Sequence, residues 1–471
     1  MVFPADVGGD PISIATMRET RADSPRDSWR AGNSGGRPEE PRWGASPIFL
    51  HSSWRASHTW FWLKFREHPA TVCFYEPFHE SLATLTRSEA ESRCPDSWNS
   101  RHPSTEPYLL EFIPLIRKAG GVRLFVPEIS YRWFLPVGGH TGNLHPEEIK
   151  YLALLIRHAD RLRRTPVFGF TRSLGRLPAI KKQFPGIHIF QHRNLWTQWM
   201  SWIDYKKNNN EYFFHRALEI MMATKDPYLL AIINRYLSYN SLYVQQNQIG
   251  TTNNYNIEAI AGLLESITEQ HLFALYMAFH TYFYMSAQNS ADIVIDTTKV
   301  AKDENYRDRV CRQLTCATGL PITFDDVSEI QRYHPFDPVL IDWKEIKENL
   351  ELAVLTLDHL FDRQELLRYG MELVDETRAE MEISERYVGT ARHEMTTLTS
   401  QLDSVTAATA RLAEERDRLA DERDTLLTER DRLAAELALG NVDGVKLSAE
   451  NLRLSSEVAQ AKLPVSIRHP R

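Results

Sequence analysis

The sequence predicts an α/β protein, a central parallel sheet with helices on both faces, followed by a C-terminal α-helical coiled coil. Three observations carry this. Short apolar runs of strand type recur at Ile48–Leu50, Thr71–Tyr75, Pro166–Phe170, Ile187–Gln191 and Asp292–Asp296, with helical-period segments between them. Strands alternating with helices close into a parallel sheet covered on both sides. The first run ends in a cluster of small, hydroxyl-bearing and basic residues, Ser52–Thr59, just ahead of an aromatic helical segment that Pro69 stops. Strand, polar loop, helix is the layout that aims unpaired helix N–H groups and a positive dipole end at an anion. From about Leu366 the character changes: Met395, Leu398, Leu402, Val405, Thr409 and Leu412 are spaced by threes and fours, and Leu419, Leu426 and Leu433 continue at sevens, which is a heptad seam.

With 471 residues, of which 42% are hydrophobic, the chain is long enough for more than one unit and apolar enough for a real core. Net charge is −7, which excludes whole-chain attraction to nucleic acid, so any anion site must be a local basic cluster. Cys73, Cys94, Cys311 and Cys316 have no partners at zinc spacing, so no structural metal is expected. No apolar run approaches the roughly 20 residues of a membrane span, and the expectation is a cytoplasmic protein.

In order, residues 1–45 read as a disordered tail rich in Gly, Pro, Ser and Arg. Residues 46–340 form the α/β domain, with a polar connector over Ser88–Pro107, a helix over Tyr108–Ala119 and a strand-like run at Val122–Val126. Pro146–Arg164 is an amphipathic helix with Leu152, Leu155 and Ile156 inward. A helical, aromatic insertion spans about 205–288, and its aromatics (Tyr212, Phe214, Tyr228, Phe273, Tyr276 and others) read as packing between helices. Residues 341–440 are a helical segment and coiled coil, separable from the domain at about Leu366. Within it Glu415-Arg-Asp, Glu422-Arg-Asp and Glu429-Arg-Asp repeat, placing Arg416, Arg423 and Arg430 on the seam. Arginine there costs stability and selects register. A solvated, salt-bridged single helix is the other reading of the same pattern. Residues 441–471 hold a short helix and a loose tail.

Three strand ends carry residues suited to one chemistry. Arg55-Ala-Ser-His-Thr-Trp60 follows the first strand, Tyr75-Glu76-Pro77 ends the second, and Arg193 ends the fourth with Ser201 eight positions on. Together they resemble the 5′-phosphosulfate loop, the catalytic-glutamate position and the 3′-phosphate motif of sulfotransferases that use 3′-phosphoadenosine 5′-phosphosulfate (PAPS). The segment Phe168–Ser201 resembles bacterial members as a block, and the resemblance spans roughly Pro47–Asp326. It implies a P-loop-type three-layer fold with PAPS as co-substrate. Arg55, Ala56, Ser57, His58, Thr59 and Trp60 would line the donor loop, with Arg193 and Ser201 on the 3′-phosphate. The acceptor would be a hydroxyl, of a carbohydrate or glycolipid, and the heptad seam implies a homodimer.

The chemistry suits those residue types. Charge builds on the leaving oxygen in sulfuryl transfer, and a cation with loop N–H groups stabilises it. A carboxylate or imidazole can take the acceptor proton: Glu76 first, then His79, then His51. Lys64 reads as a surface charge, while Arg172 and Arg176 stay open between ligand contacts and solvated helix starts. The sequence departs from the family at Ser57, where a Gly is expected, and at His58, where a hydroxyl is expected. If the loop requires positive φ, Ser57 is strained by about 1–3 kcal/mol. The alternative reading is therefore a catalytically inactive sulfotransferase-like scaffold. A nucleoside-triphosphate phosphotransferase is disfavoured, because no Gly-x-x-x-x-Gly-Lys-Ser/Thr lies near Ser52.

Overall fold

The computed structural model describes residues 46–92, 106–207, 212–237, 257–327, 341–438 and 444–461. The expected tail over 1–45, most of the connector, Gly440 and the last ten residues lie outside them.

The first two strands are buried along their whole length and the other three at all but one residue each, as a sheet covered on both faces requires. β1 (Ile48–His51) leads through a short loop into α1 (His58–Arg66) and β2 (Thr71–Tyr75). After α2 (Arg87–Ser92), α3 (Pro146–Arg161) begins with a capping box between His145 and Glu148 and returns the chain to β3 (Thr165–Phe170). Then come α4 (Leu177–Gln183), β4 (Ile187–His192) and α5 (Leu195–Lys207). The helical region continues with α6 (Tyr212–Ala223), α7 (Pro227–Tyr236), α8 (Ile257–Ser266) and α9 (Glu269–Ser290), before β5 (Ile293–Asp296). α10 (Thr297–Lys302), α11 (Glu304–Thr318), α12 (Trp343–Leu357), α13 (Arg363–Ala438) and α14 (Gly444–Ala461) complete it.

The five strands are parallel in the order β2-β3-β1-β4-β5. The chain leaves β1 toward β2 on one side and leaves β4 toward β5 on the other. The crevice above the carboxyl ends of β1 and β4 is therefore the topological switch point, where open α/β sheets take ligands.

Two local expectations are corrected. Val122–Val126 is not a strand: Leu124 adopts φ 62, incompatible with extended backbone, and only Val122 bridges, to Ile116. The expected helix over Tyr108–Ala119 is reduced to a 3-10 turn at Leu110–Leu115, because Pro114 lacks the donor and Gly120 and Gly121 (φ 87 and 77) turn the chain back.

The larger correction concerns the C-terminal helices. α9 is buried on all sides from Leu272 to Ala287, as a helix apolar around its whole circumference must be. Part of what covers it is α12 and the first turns of α13. Ile346, Leu350, Val354, Leu357, Leu366, Tyr369, Leu373, Val374 and Met381 belong to the same core as α9. The sequence boundary near Leu366 thus falls inside the core. Past Met381 the 76-residue α13, about 114 Å long at 1.5 Å per residue, leaves the body. α14 packs back along its far end, burying Leu433, Leu454 and Val458.

Candidate functional site

The loop between β1 and α1 is held from behind by side chains of three elements. Ser52 N–H extends the sheet ladder to the Phe170 carbonyl (2.9 Å). The buried amides of Gln198 on α5 and Gln191 on β4 donate to the carbonyls of Trp54 (2.7 Å) and Ala56 (2.6 Å). In a trans peptide the following N–H points opposite to the carbonyl, so these bonds turn the Arg55 and Ser57 N–H groups away from the glutamines. His280 of α9 donates from Nδ1 to the Tyr276 carbonyl (2.8 Å), leaving Nε2 to accept from the Ser53 hydroxyl (2.9 Å).

The loop is strained as well as pinned. Arg55 (φ 63), Ser57 (φ 64) and Glu76 (φ 46) are three of the six non-glycine residues with positive φ among the described residues. Such backbone costs on the order of 1–3 kcal/mol each and collects at functional sites. Ser57 is the left-handed N-cap of α1, a conformation that favours glycine, and its hydroxyl caps nothing. The first turn of α1 also lacks an acidic residue, so its positive dipole end is not neutralised locally.

Arg55, Ser201 and Arg193 converge on the switch point. Arg55 Nε donates to Ser201 Oγ at 2.8 Å, and its guanidinium lies 4.7 Å from the centre of the Tyr205 ring. Arg193, at the end of β4, is pushed down to about 10, by burial first and by the charge of Arg55 second. Among the described residues Arg193 has no hydrogen-bond or ion-pair partner. Two guanidinium groups close enough to repel each other thus share one partly buried crevice.

On the other side of the loop, Glu76 is buried (4% exposed) at the end of β2. It accepts from Thr171 Oγ1 (2.5 Å) and from Arg172 Nη1 (2.7 Å). Burial raises its carboxyl above the usual range, and Arg172 and Thr171 oppose the shift. Arg172 also reaches Glu80 Oε2 (3.1 Å) and the Tyr212 hydroxyl (2.7 Å), and lies 5.7 Å from the centre of the Trp54 ring. Tyr131 (2.6 Å) and Tyr212 (2.7 Å) both donate to Glu80. Burial alone would raise Glu80, but Arg172 and these hydroxyls hold it well below the carboxylate range. The result is a half-buried patch of alternating charge and phenol beside the β1–α1 loop.

The remaining candidates divide. Thr59 Oγ1 shares a bond with the Tyr75 hydroxyl (2.7 Å); with Tyr75 as donor, the Thr59 proton is left to donate elsewhere. The His58 ring is buried between α1 and the sheet, against Tyr75 and the Gly169 backbone, so what it offers the loop is its backbone. Trp60 turns outward, its indole donating to Asp326 (3.2 Å), and Lys64 pairs with the same carboxylate (2.6 Å). His79 accepts from Ser81 N–H through Nδ1 (3.1 Å). The neutral ring then carries its proton on Nε2 and has no second lone pair to act as a base. His51 is sealed in the core: Ser173 donates to its Nδ1 (2.7 Å) and its Nε2 meets His188 (3.2 Å), whose own Nε2 donates to the Phe184 carbonyl (3.1 Å). Arg176 is structural, paired with Glu148 and donating to the Ile129 carbonyl (2.7 Å). Sequence reading did not single out Gln191, Gln198, His280 or Tyr131 for the site, and it read Tyr212 as packing. Each acts across long chain separations, and no local spacing announces it.

Burial holds the imidazoles under the loop neutral: His188 is pushed down to about 4 and His280 to about 3. Their folded values lie below the unfolded value of about 6.5, so their contribution is complete above that pH and is lost as pH falls. Each costs about 1.4 kcal/mol per pH unit, so the two together remove about 4 kcal/mol by about pH 5. The urea midpoint should drop accordingly between about pH 7.5 and about pH 5; an unmoved midpoint would refute neutral burial.

Among the described residues no helix is long and apolar enough to cross a membrane, and no group of three or more His, Cys, Asp or Glu is placed to hold a metal. No family model, curated protein or solved structure matches the chain.

Proposed function

We propose that this chain is a PAPS-dependent sulfotransferase of P-loop-type three-layer fold, moving a sulfuryl group to an acceptor hydroxyl. The observation that carries the reading is the convergence of Arg55, Ser201 and Arg193 at the switch point. These residues come from two distant motifs, and a nucleotide with phosphates on both its 5′ and 3′ positions has anions for both. A sheet with β1 between β3 and β4 supports the same reading.

On this reading the loop N–H groups, Arg55 and the Thr59 hydroxyl face the 5′-phosphosulfate, while Arg193 and Ser201 hold the 3′-phosphate. Glu76 takes the acceptor proton as the acceptor oxygen bonds to sulfur. The bond to the bridging oxygen breaks, and its electron pair leaves with the 5′-phosphate, stabilised by Arg55. The acceptor lies toward Arg172, Glu80 and Tyr212, as a carbohydrate or glycolipid hydroxyl. The protein works in the cytoplasm as a homodimer joined through the long helix.

Calorimetric titration with 3′-phosphoadenosine 5′-phosphate tests the donor pocket. Wild type should bind, and Arg193→Ala should weaken binding by about 10–100-fold, the worth of a charged hydrogen-bond pair. Equal affinity in the two proteins would refute the assignment of Arg193. A second reading, a scaffold that binds the nucleotide without turning over, is favoured by the engagement of both Glu76 oxygens. Mass spectrometry of candidate glycans after incubation with PAPS distinguishes the two by the gain of one sulfuryl group.

A further inference from the structure

One apolar stripe of α13 has no cover among the described residues. Met395, Leu398, Leu402, Val405 and Leu412 are each more than 60% exposed, and with Thr409 between the last two they follow one another by threes and fours along one face. Writing Met395 as heptad position a puts Leu398, Val405, Leu412, Leu419, Leu426 and Leu433 at d, and Leu402, Thr409, Arg416, Arg423 and Arg430 at a. Farther out the same seam is closed by α14. Leu433 is buried with Leu454 and Val458, and Arg423 and Arg430 are half-covered and paired with Asp424 and Asp431 at 2.6 Å. The bare segment is thus bounded by the body below Met381 and by the α13–α14 hairpin above.

The flanks of the bare segment indicate what covers it. Between Met395 and Ala413, positions e and g hold Thr399, Gln401, Thr406, Ala408 and Ala413, with no charge over that stretch to select a partner of opposite sign or to repel an identical helix. At its upper edge Glu415 occupies g directly before Arg416 at a. In a parallel pair, a g glutamate lies beside the a residue of the other helix, so two copies place Glu415 of each against Arg416 of the other. Within one chain Arg416 reaches only the neighbouring Asp417, a 2.6 Å pair between exposed groups, which adds little. An antiparallel pair matching Met395 to Leu412 would set each body, at Met381, opposite residue 426 of the other chain, where α14 already packs.

We infer that residues 395–416 of α13 pair with the same residues of a second copy as a parallel, in-register two-stranded coiled coil. The two bodies then lie at one end and the two α13–α14 hairpins at the other. This rests on the exposed seam and not on the sulfotransferase reading, although it specifies the dimer proposed there.

Sedimentation equilibrium of the full chain should give twice the 54.5 kDa chain mass. Leu402→Asp with Val405→Asp, both on the exposed face, should give single chains with unchanged far-ultraviolet circular dichroism. Thr409→Cys at an a position should form, on mild oxidation, a disulfide-linked dimer that wild type with its native cysteines does not. Single-chain mass for wild type, or a dimer surviving the double substitution, overturns the interface. A dimer in which Thr409→Cys fails to cross-link overturns the parallel register.

Discussion

Glu76→Gln is expected to lower kcat by about 10²–10⁴, the range for loss of a positioned general base, while affinity for 3′-phosphoadenosine 5′-phosphate stays near wild type. The amide keeps the shape of the carboxylate and can still accept from Thr171 or Arg172. Arg172 is not left as an uncompensated buried charge, because Glu80 (3.1 Å) and the Tyr212 hydroxyl (2.7 Å) remain with it. What the substitution removes is proton affinity. Burial pushes the Glu76 carboxyl above its usual range, which brings a base closer to the pKa it needs at neutral pH. The acidic limb of the pH–rate profile should therefore disappear with the carboxylate. Unchanged kcat accompanied by a lower thermal midpoint would make the Glu76–Arg172 pair structural, and weakened nucleotide binding would place Glu76 in support of the donor loop.

Cutting the chain before Leu366 is expected to unfold it. Leu366, Tyr369, Leu373, Val374 and Met381 are each less than 9% exposed. Burying side chains of this size contributes about 1.5–3 kcal/mol apiece, so their loss removes about 7–15 kcal/mol against a total stability of about 5–15 kcal/mol. The same turns of α13 also tie down the loops at the carboxyl ends of β4 and β5. Asn194 Nδ2 donates to the Glu376 carbonyl (3.1 Å), Lys299 pairs with Glu376 (2.8 Å), and Lys302 meets both oxygens of Glu380 (3.0 Å). A chain ending after Glu385, beyond the last buried side chain of the root, should remain folded and monomeric. Circular dichroism and gel filtration of the two truncations check both halves, and a soluble, cooperatively melting chain ending at Asp362 would sink the argument.

The place of α13 in the core was not legible because heptad spacing reports which face of a helix is apolar, not what covers it. From Leu366 to Met381 that face meets α9 and α12, from Met395 to Leu412 it is bare, and near Leu433 it meets α14. The pattern in the chain is nearly continuous across all three. Histidines fail to be read for a related reason. His51 and His79 are each suited by type to accept a proton, yet Ser173 and His188 engage one and Ser81 the other.

The amino-acid sequence by itself located all five strands, since strands buried on both faces are mainly apolar runs, though it added Val122–Val126, which is not one; it also located the loop and strand ends that carry Arg55, Glu76 and Arg193, since helix starts and strand ends are set by local chemistry. Only the tertiary structure decided that Arg55 meets Ser201 and that Arg172 stands between Glu76 and Glu80. Partner choice across 146 residues in one case and 96 in the other depends on strand order, which brings β1 beside β4 and β2 beside β3. No local periodicity encodes that order.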